Sequence, residues 1–188
     1  MIVIAGPNGA GKTTYAEALL DALKVEHFVN ADRIAQGLSG LRPESVAIHA
    51  GRIMLERLRQ LAEERQSFGF ETTLSSRSFA LFLRRLAADG YKVRIFYLML
   101  PSAAESLRRV RRRVKMGGHN IPQEVIFRRF GRSAHNLLQL YIPLADNWRI
   151  SENVWQSKPR EIARGTKNGH DILDETKWRL LQRIATNV

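Results

Sequence analysis

A chain of 188 residues, 44% of them hydrophobic, is long enough for one well-buried core and too short for two full domains. It contains no cysteine, which excludes disulfides, thiolate metal sites and a cysteine nucleophile, so any metal must be held by oxygen or histidine. Thirty Lys and Arg against eighteen Asp and Glu leave a net charge of +12, which favours anionic partners without choosing among nucleotides, phosphosugars, nucleic acids and acidic proteins.

The apolar run Met1 to Ala5 predicts a first strand. It begins at the first residue, leaving no room for a signal peptide, and no later run approaches the ~18 residues of a spanning helix. A soluble, cytoplasmic chain with no membrane partner is therefore expected. Gly6-Pro7-Asn8-Gly9-Ala10-Gly11-Lys12-Thr13 meets G-x-x-x-x-G-K-[ST], and Thr13 to Leu23 carries Ala16, Leu19, Leu20 and Leu23 at helical spacing. A glycine-rich turn between a strand and a helix lets backbone N–H groups converge on phosphates at a positive helix end. Lys12 then reaches the β/γ-phosphates, the Thr13 hydroxyl is the metal ligand, and Thr14 extends the phosphate-contacting turn.

His27 to Asn30 predicts a second strand, placing Asp32 at the carboxyl edge of the sheet, where open α/β folds bind ligands. Asp32 is either a general base or the cap of a helix starting at Arg33. Pro43 to Gln66 reads as one long helix, with Val46, Ala50, Ile53, Met54, Leu58 and Leu61 on one face. Phe68 to Thr72 predicts a strand that delivers Glu71, Thr73 and Arg77 to the same edge as candidate acceptor-binding residues. Glu71 can bind a sugar hydroxyl or a metal-bound water, or simply pair with an arginine. Thr72, Thr73, Ser75 and Ser76 also suit an ordinary turn.

Ser78 to Ala88 predicts a helix, and Lys92 to Leu100 is the most apolar strand, the kind buried on both faces of a parallel sheet. It ends at Pro101 without the acidic residue that motor ATPases place there to hold metal. The N-K-x-D and D-x-x-G signatures of GTP switches are also absent. Ser102 to Met116 and Pro122 to Leu140 predict two helices joined by Gly117-Gly118-His119-Asn120, a lid-like connection spanning about residues 109–132. Among the arginines of this region, one or two of Arg109, Arg113, Arg128 and Arg129 are candidates for a transferring phosphoryl group, the others solvating a face. Trp148 to Trp155 predicts a last strand. A helical tail is expected over about residues 165–188, with a final helix from Asp174 to Ala185. Alternating strands and helices predict a single α/β domain: a three-layer P-loop NTPase fold with a central parallel sheet, a small-molecule-kinase shape and a helical lid.

The stretches IAGPNGAGKTT (Ile4 to Thr14), VNADRIA (Val29 to Ala35), FETTLSSR (Phe70 to Arg77), RRVKMGGHNIP (Arg112 to Pro122) and FRRFGRS (Phe127 to Ser133) together resemble the zeta-toxin family of P-loop kinases. The likeness implies ATP or GTP with Mg²⁺ as the phosphoryl donor system and Asp32 as the catalytic base. It further implies acceptor contacts from Glu71 and Thr73, and lid arginines at Arg113 with Arg128 or Arg129. We take Arg113 and Arg129 as the catalytic pair and Arg128 as a nucleotide contact. The acceptor implied is a nucleotide-sugar such as UDP-N-acetylglucosamine, and a separate antitoxin is the partner implied. This chain has a shorter lid than the large toxins and RISENV where short relatives carry Tyr-Asp-Asn-Ser. A competing reading makes the arginine-rich 108–113 segment a nucleotide-controlled nucleic-acid-binding module, or makes the chain a polynucleotide 5′-hydroxyl kinase, with weak aromatic interleaving against it.

Overall fold

The computed structural model describes residues 1–40, 43–118, 120–154 and 158–187; His119 and Trp155, assigned above to the lid turn and the last strand, lie outside the described residues. Strand β1 (Ile2–Ala5) leads through the glycine-rich turn into α1 (Lys12–Ala22), followed by β2 (His27–Val29) and α2 (Ala31–Leu38). A 3-10 turn over Pro43–Val46 precedes α3 (Ala47–Glu63), so the long helix expected from Pro43 begins as α-helix four residues later. Then come β3 (Phe68–Thr72), α4 (Ser78–Ala88), β4 (Arg94–Met99), α5 (Ala103–Lys115) and α6 (Gln123–Asn136). Leu137–Tyr141 continue α6 as a π-helical turn, before β5 (Asn147–Glu152), β6 (Arg160–Thr166), β7 (Gly169–Ile172) and α7 (Glu175–Thr186).

Seven strands form one sheet in the order β2-β3-β1-β4-β5-β6-β7. The first five are parallel, while β6 and β7 run antiparallel at the β5 side. One face packs Ile2, Ile4 and Phe96 against Ala16 and Leu20 of α1. The opposite face packs Val3, Phe70, Ile95 and Tyr97 against Met54 and Leu58 of α3, Leu83 of α4, and Leu181 of α7. A smaller cluster of Val110, Ile121 and Ile126 joins α5 to α6. The sheet with helices on both faces is the α/β P-loop architecture expected, its β1–β5 part parallel.

The helical tail predicted from Gly165 needs correction. Residues 160–172 form a hairpin, closed where Thr166 faces Gly169 across Lys167-Asn168, and only α7 is helical. Asn168-Gly169 is a hairpin turn signal, but β7 is largely exposed and reads GHDI, so it lacks the apolar alternation that announces a strand. The hairpin covers the edge of β5, and Trp148 of β5 stacks on Trp178 of α7 at 6.2 Å between ring centroids.

Candidate functional site

The phosphate loop leaves β1 through Gly6, whose φ of +142° is awkward for any side chain; a Cβ there would also strike the Leu98 carbonyl of β4. Gly11 is left-handed at φ +78°, and a Cβ on it would strike the Asn153 amide. Side chains from distant elements hold the loop. Ser106 of α5 donates to the Asn8 carbonyl at 2.5 Å, and Asn153, just past β5, donates to the Ala10 carbonyl at 2.7 Å. Arg109 in turn donates to the Asn153 carbonyl at 2.9 Å and to Glu105 at 2.6 Å, so this arginine braces the loop from behind. Asn153 and Ser106 escaped sequence reading, because an isolated polar residue at a strand end or on a basic helix carries no motif.

Lys12 is buried and donates to the Pro7 carbonyl at 3.1 Å. Burial holds its pKa below the ordinary lysine value; Glu71 and Asp32 oppose the shift, and Arg113 adds to it. Lys12 Nζ lies 3.7 Å from Glu71 Oε1. The other Glu71 oxygen accepts from the Thr13 hydroxyl and from Asn30 Nδ2, both at 2.8 Å. Glu71 thus sits against Lys12 and Thr13 of the phosphate loop. Strand β4 ends without an acid, whereas β3, which lies next to β1 with Glu71 in register with Ile4, brings a carboxylate to the Thr13 hydroxyl.

Asp32 does not cap its helix. Asn30 does: its Oδ1 accepts from the backbone N–H groups of Asp32 and Arg33 at 2.8 and 3.2 Å. The Asp32 carboxylate is left exposed in the first turn of α2, lining a cavity of about 600 Å³ together with Lys12, Asn30, Glu71, Thr73 and Arg129. Asn8, from the loop, also lines it, and its buried Oδ1 has no hydrogen-bond partner among the described residues. The far wall is apolar, built from Ile48, Met54 and Leu55 of α3, Phe79 of α4, and Ile121 and Val125.

The turn after β3 is pinned from α6. Leu74 sits at φ +55° with its carbonyl accepting from Asn136 Nδ2 at 2.7 Å, and Tyr141 donates to the Ser76 carbonyl at 2.6 Å. That presents Thr73, paired with Ser75 at 2.8 Å, to the cavity. Of the lid arginines, Arg129 lines the cavity; burial lowers its pKa and Asp32 opposes that shift. Arg113 is partly buried on the Lys12 side. Arg77 and Arg128 correct the expectation: both are exposed and line a separate groove behind α6. They lie outside because Arg77 ends the pinned turn and Arg128 is one helical position away from Arg129, a rotation of about 100°. Thr14 is exposed in the first turn of α1.

The donors present fit a magnesium ion. Thr13 and Glu71 offer one hydroxyl and one carboxylate side by side, the hard oxygen set such an ion takes alongside phosphates and water. No three of His, Cys, Asp and Glu gather into a metal cage among the described residues. No helix among them is long and apolar enough to cross a membrane.

The family profile described as AAA domain matches residues 1–133, from β1 into α6. The chain belongs to the AAA domain family. It is 28% identical over 129 residues to an uncharacterised protein of Haemophilus influenzae, covering 69% of this chain and 91% of that protein. Among solved structures it resembles AvrRxo1-ORF1 in complex with AvrRxo1-ORF2 and ATP, with a TM-score of 0.73 and 18% identity, covering 98% of this chain. This AAA domain chain spans 62% of that chain's length. It also resembles a chain of the PezAT chromosomal toxin–antitoxin system of Streptococcus pneumoniae, with a TM-score of 0.62, 15% identity and coverage of 100% of this chain and 79% of that one. A gluconokinase from Sinorhizobium meliloti matches with a TM-score of 0.56, 18% identity and coverage of 99% and 93%. At these identities the structural likeness is one of fold.

Proposed function

We propose that this chain is a kinase that transfers the γ-phosphoryl group of ATP to a hydroxyl of a small molecule seated in the 600 Å³ cavity. The observation that carries this reading is a carboxylate, Asp32, released from capping duty by Asn30 and sharing one cavity with Lys12 and Arg129. Phosphoryl transfer asks little covalent chemistry of a protein; it needs in-line positioning and stabilisation of charge spread over the transferring oxygens. Asp32 would accept the proton of the acceptor hydroxyl, Lys12 would hold the β/γ-phosphates, and Arg129 with Arg113 would balance negative charge on the transferring group. Magnesium, held by Thr13 with Glu71 close behind, would supply neutralisation of the β and γ oxygens.

The acceptor is, in our reading, a nucleotide-sugar such as UDP-N-acetylglucosamine. Support comes from the motif resemblance and from the lining, which is hydroxyl-rich at Thr73, Ser75 and Ser76 and apolar at Met54, Leu55 and Phe79. A flat ring suits the second part and sugar hydroxyls the first. A separate antitoxin-like protein is the partner in this reading, as AvrRxo1-ORF1 is found with AvrRxo1-ORF2. The nucleic-acid reading has less support: Arg108 and Arg109 engage Glu105, and Arg111 engages Gln123.

Mass spectrometry of the protein with ATP, Mg²⁺ and a panel of UDP-sugars and simple sugars tests the proposal. We expect one panel member to gain a phosphate, and Asp32→Asn to lose that product while still binding ATP. Equal product from Asp32→Asn would remove the assigned base, and product from simple sugars alone would remove the nucleotide-sugar.

A further inference from the structure

Behind α6 lies a groove of about 1640 Å³, bounded by the turn at Ser75 to Arg77, the outer face of α6 and the end of α7. It exceeds the roughly 300 to 1,000 Å³ of ordinary small-ligand sites. Three guanidiniums from two elements, Arg77, Arg128 and Arg132, line it, and none of its lining residues is Asp or Glu. No salt bridge or side-chain hydrogen bond among the described residues engages these three. Elsewhere on the surface Arg33, Arg108, Arg164 and Arg179 meet carboxylates, while Arg84 of α4, exposed like the groove arginines, has no carboxylate partner among the described residues. The lining is also apolar in part, with Phe127 44% exposed and Phe130 and Ile184 beside it. His135 approaches the Ala185 carbonyl at 3.1 Å, tying α6 to α7 so that the groove is built on two packed helices.

We propose that this groove docks an acidic, amphipathic peptide segment of a separate protein. Charge complementarity selects the partner: carboxylates would meet the unpaired arginines, and apolar side chains would cover Phe127 and Ile184. A nucleic-acid strand would use stacking platforms for successive bases, and here Phe127 is the exposed ring among the described lining residues. The groove shares Ser75 and Ser76 with the cavity that holds Asp32, so an occupant touches the back of the turn whose front carries Thr73. The docking proposal stands on the groove alone and does not depend on the kinase reading.

Fluorescence anisotropy with a fluorescein-labelled peptide of repeated Glu-Leu-Glu-Phe tests it on the full chain. A Gln-for-Glu peptide and an oligouridylate of equal length serve as comparisons. We expect the acidic peptide to bind about tenfold more tightly than either, and Arg132→Glu to weaken it about tenfold while ATP affinity is unchanged. Arg84→Glu makes the same charge change on α4, away from the groove, and leaves peptide affinity within about twofold in this account. An equal loss in Arg84→Glu would reduce the effect to net charge and overturn the proposal. So would tighter binding of the oligouridylate, or peptide binding indifferent to Arg132.

Discussion

At the residue scale, the site turns on which group each carboxylate and amide serves. Asn30 caps α2 with its oxygen and holds Glu71 with its nitrogen, one side chain joining the helix that carries Asp32 to the carboxylate beside Lys12 and Thr13. Asn30→Asp keeps a capping oxygen but sets a second carboxylate against Glu71. Turnover in that variant should fall roughly ten- to a hundredfold with the helix still formed by circular dichroism; unchanged turnover would make Asn30 a cap and nothing more. Lys12→Ala should weaken ATP binding by about 2 kcal/mol, near thirtyfold, in calorimetry. Lys12 also predicts a proton linkage. Its pKa is lowered in the free protein by burial, and bound phosphates favour the charged form. Binding should therefore take up protons above the lowered value, and ATP affinity should fall as pH rises through it; calorimetry in buffers of different ionisation enthalpy reads this directly. The loop was legible in the sequence because eight contiguous residues carry its chemistry. The link from Asn30 to Glu71, and the contacts of Asn153 and Ser106 with the loop, were not, since each bond spans 41 or more positions in the chain.

At the element scale, α5 and α6 do two jobs from behind the sheet. Through Ser106 and Arg109, α5 braces the phosphate loop, and through Asn136 and the π-helical Tyr141, α6 sets the turn after β3. Tyr141→Phe should cost about 1 kcal/mol in denaturant unfolding and raise the acceptor KM more than it lowers kcat, because it loosens the turn bearing Thr73. Glu105 is held at about 2, chiefly by its hydrogen bond to Arg108, with burial opposing and Arg109 assisting. Its folded pKa lies below the unfolded value of 4.5, so its contribution is full above that value and is lost as pH falls towards 2. Melting of wild type and Glu105→Gln should accordingly differ near neutrality and converge in strong acid. Strands β1, β3 and β4 were readable because burial on both faces makes them continuous apolar runs. Strands β6 and β7 were not, because an exposed hairpin at the sheet edge satisfies its backbone with few apolar side chains.

At the scale of the whole molecule, the sheet order explains why the site assembles where it does. With β3 and β4 flanking β1, the carboxyl ends of three neighbouring strands bring the phosphate loop, Glu71 and the Leu98 backbone to one edge. Helices α2, α3 and α6 then wall the cavity beside it. The strand–helix alternation made this architecture readable from the sequence. The split of the basic residues was not readable, because which arginines face the cavity depends on helix rotation: Arg129 turns in, Arg128 turns out. The most direct test of the whole account follows the phosphoryl group itself. With γ-labelled ATP, Mg²⁺ and a small-molecule extract, the wild type should move the label onto an organic acceptor, and Asp32→Asn should bind ATP yet leave the label in place. Label released only as inorganic phosphate, at the same rate in both proteins, would contradict it.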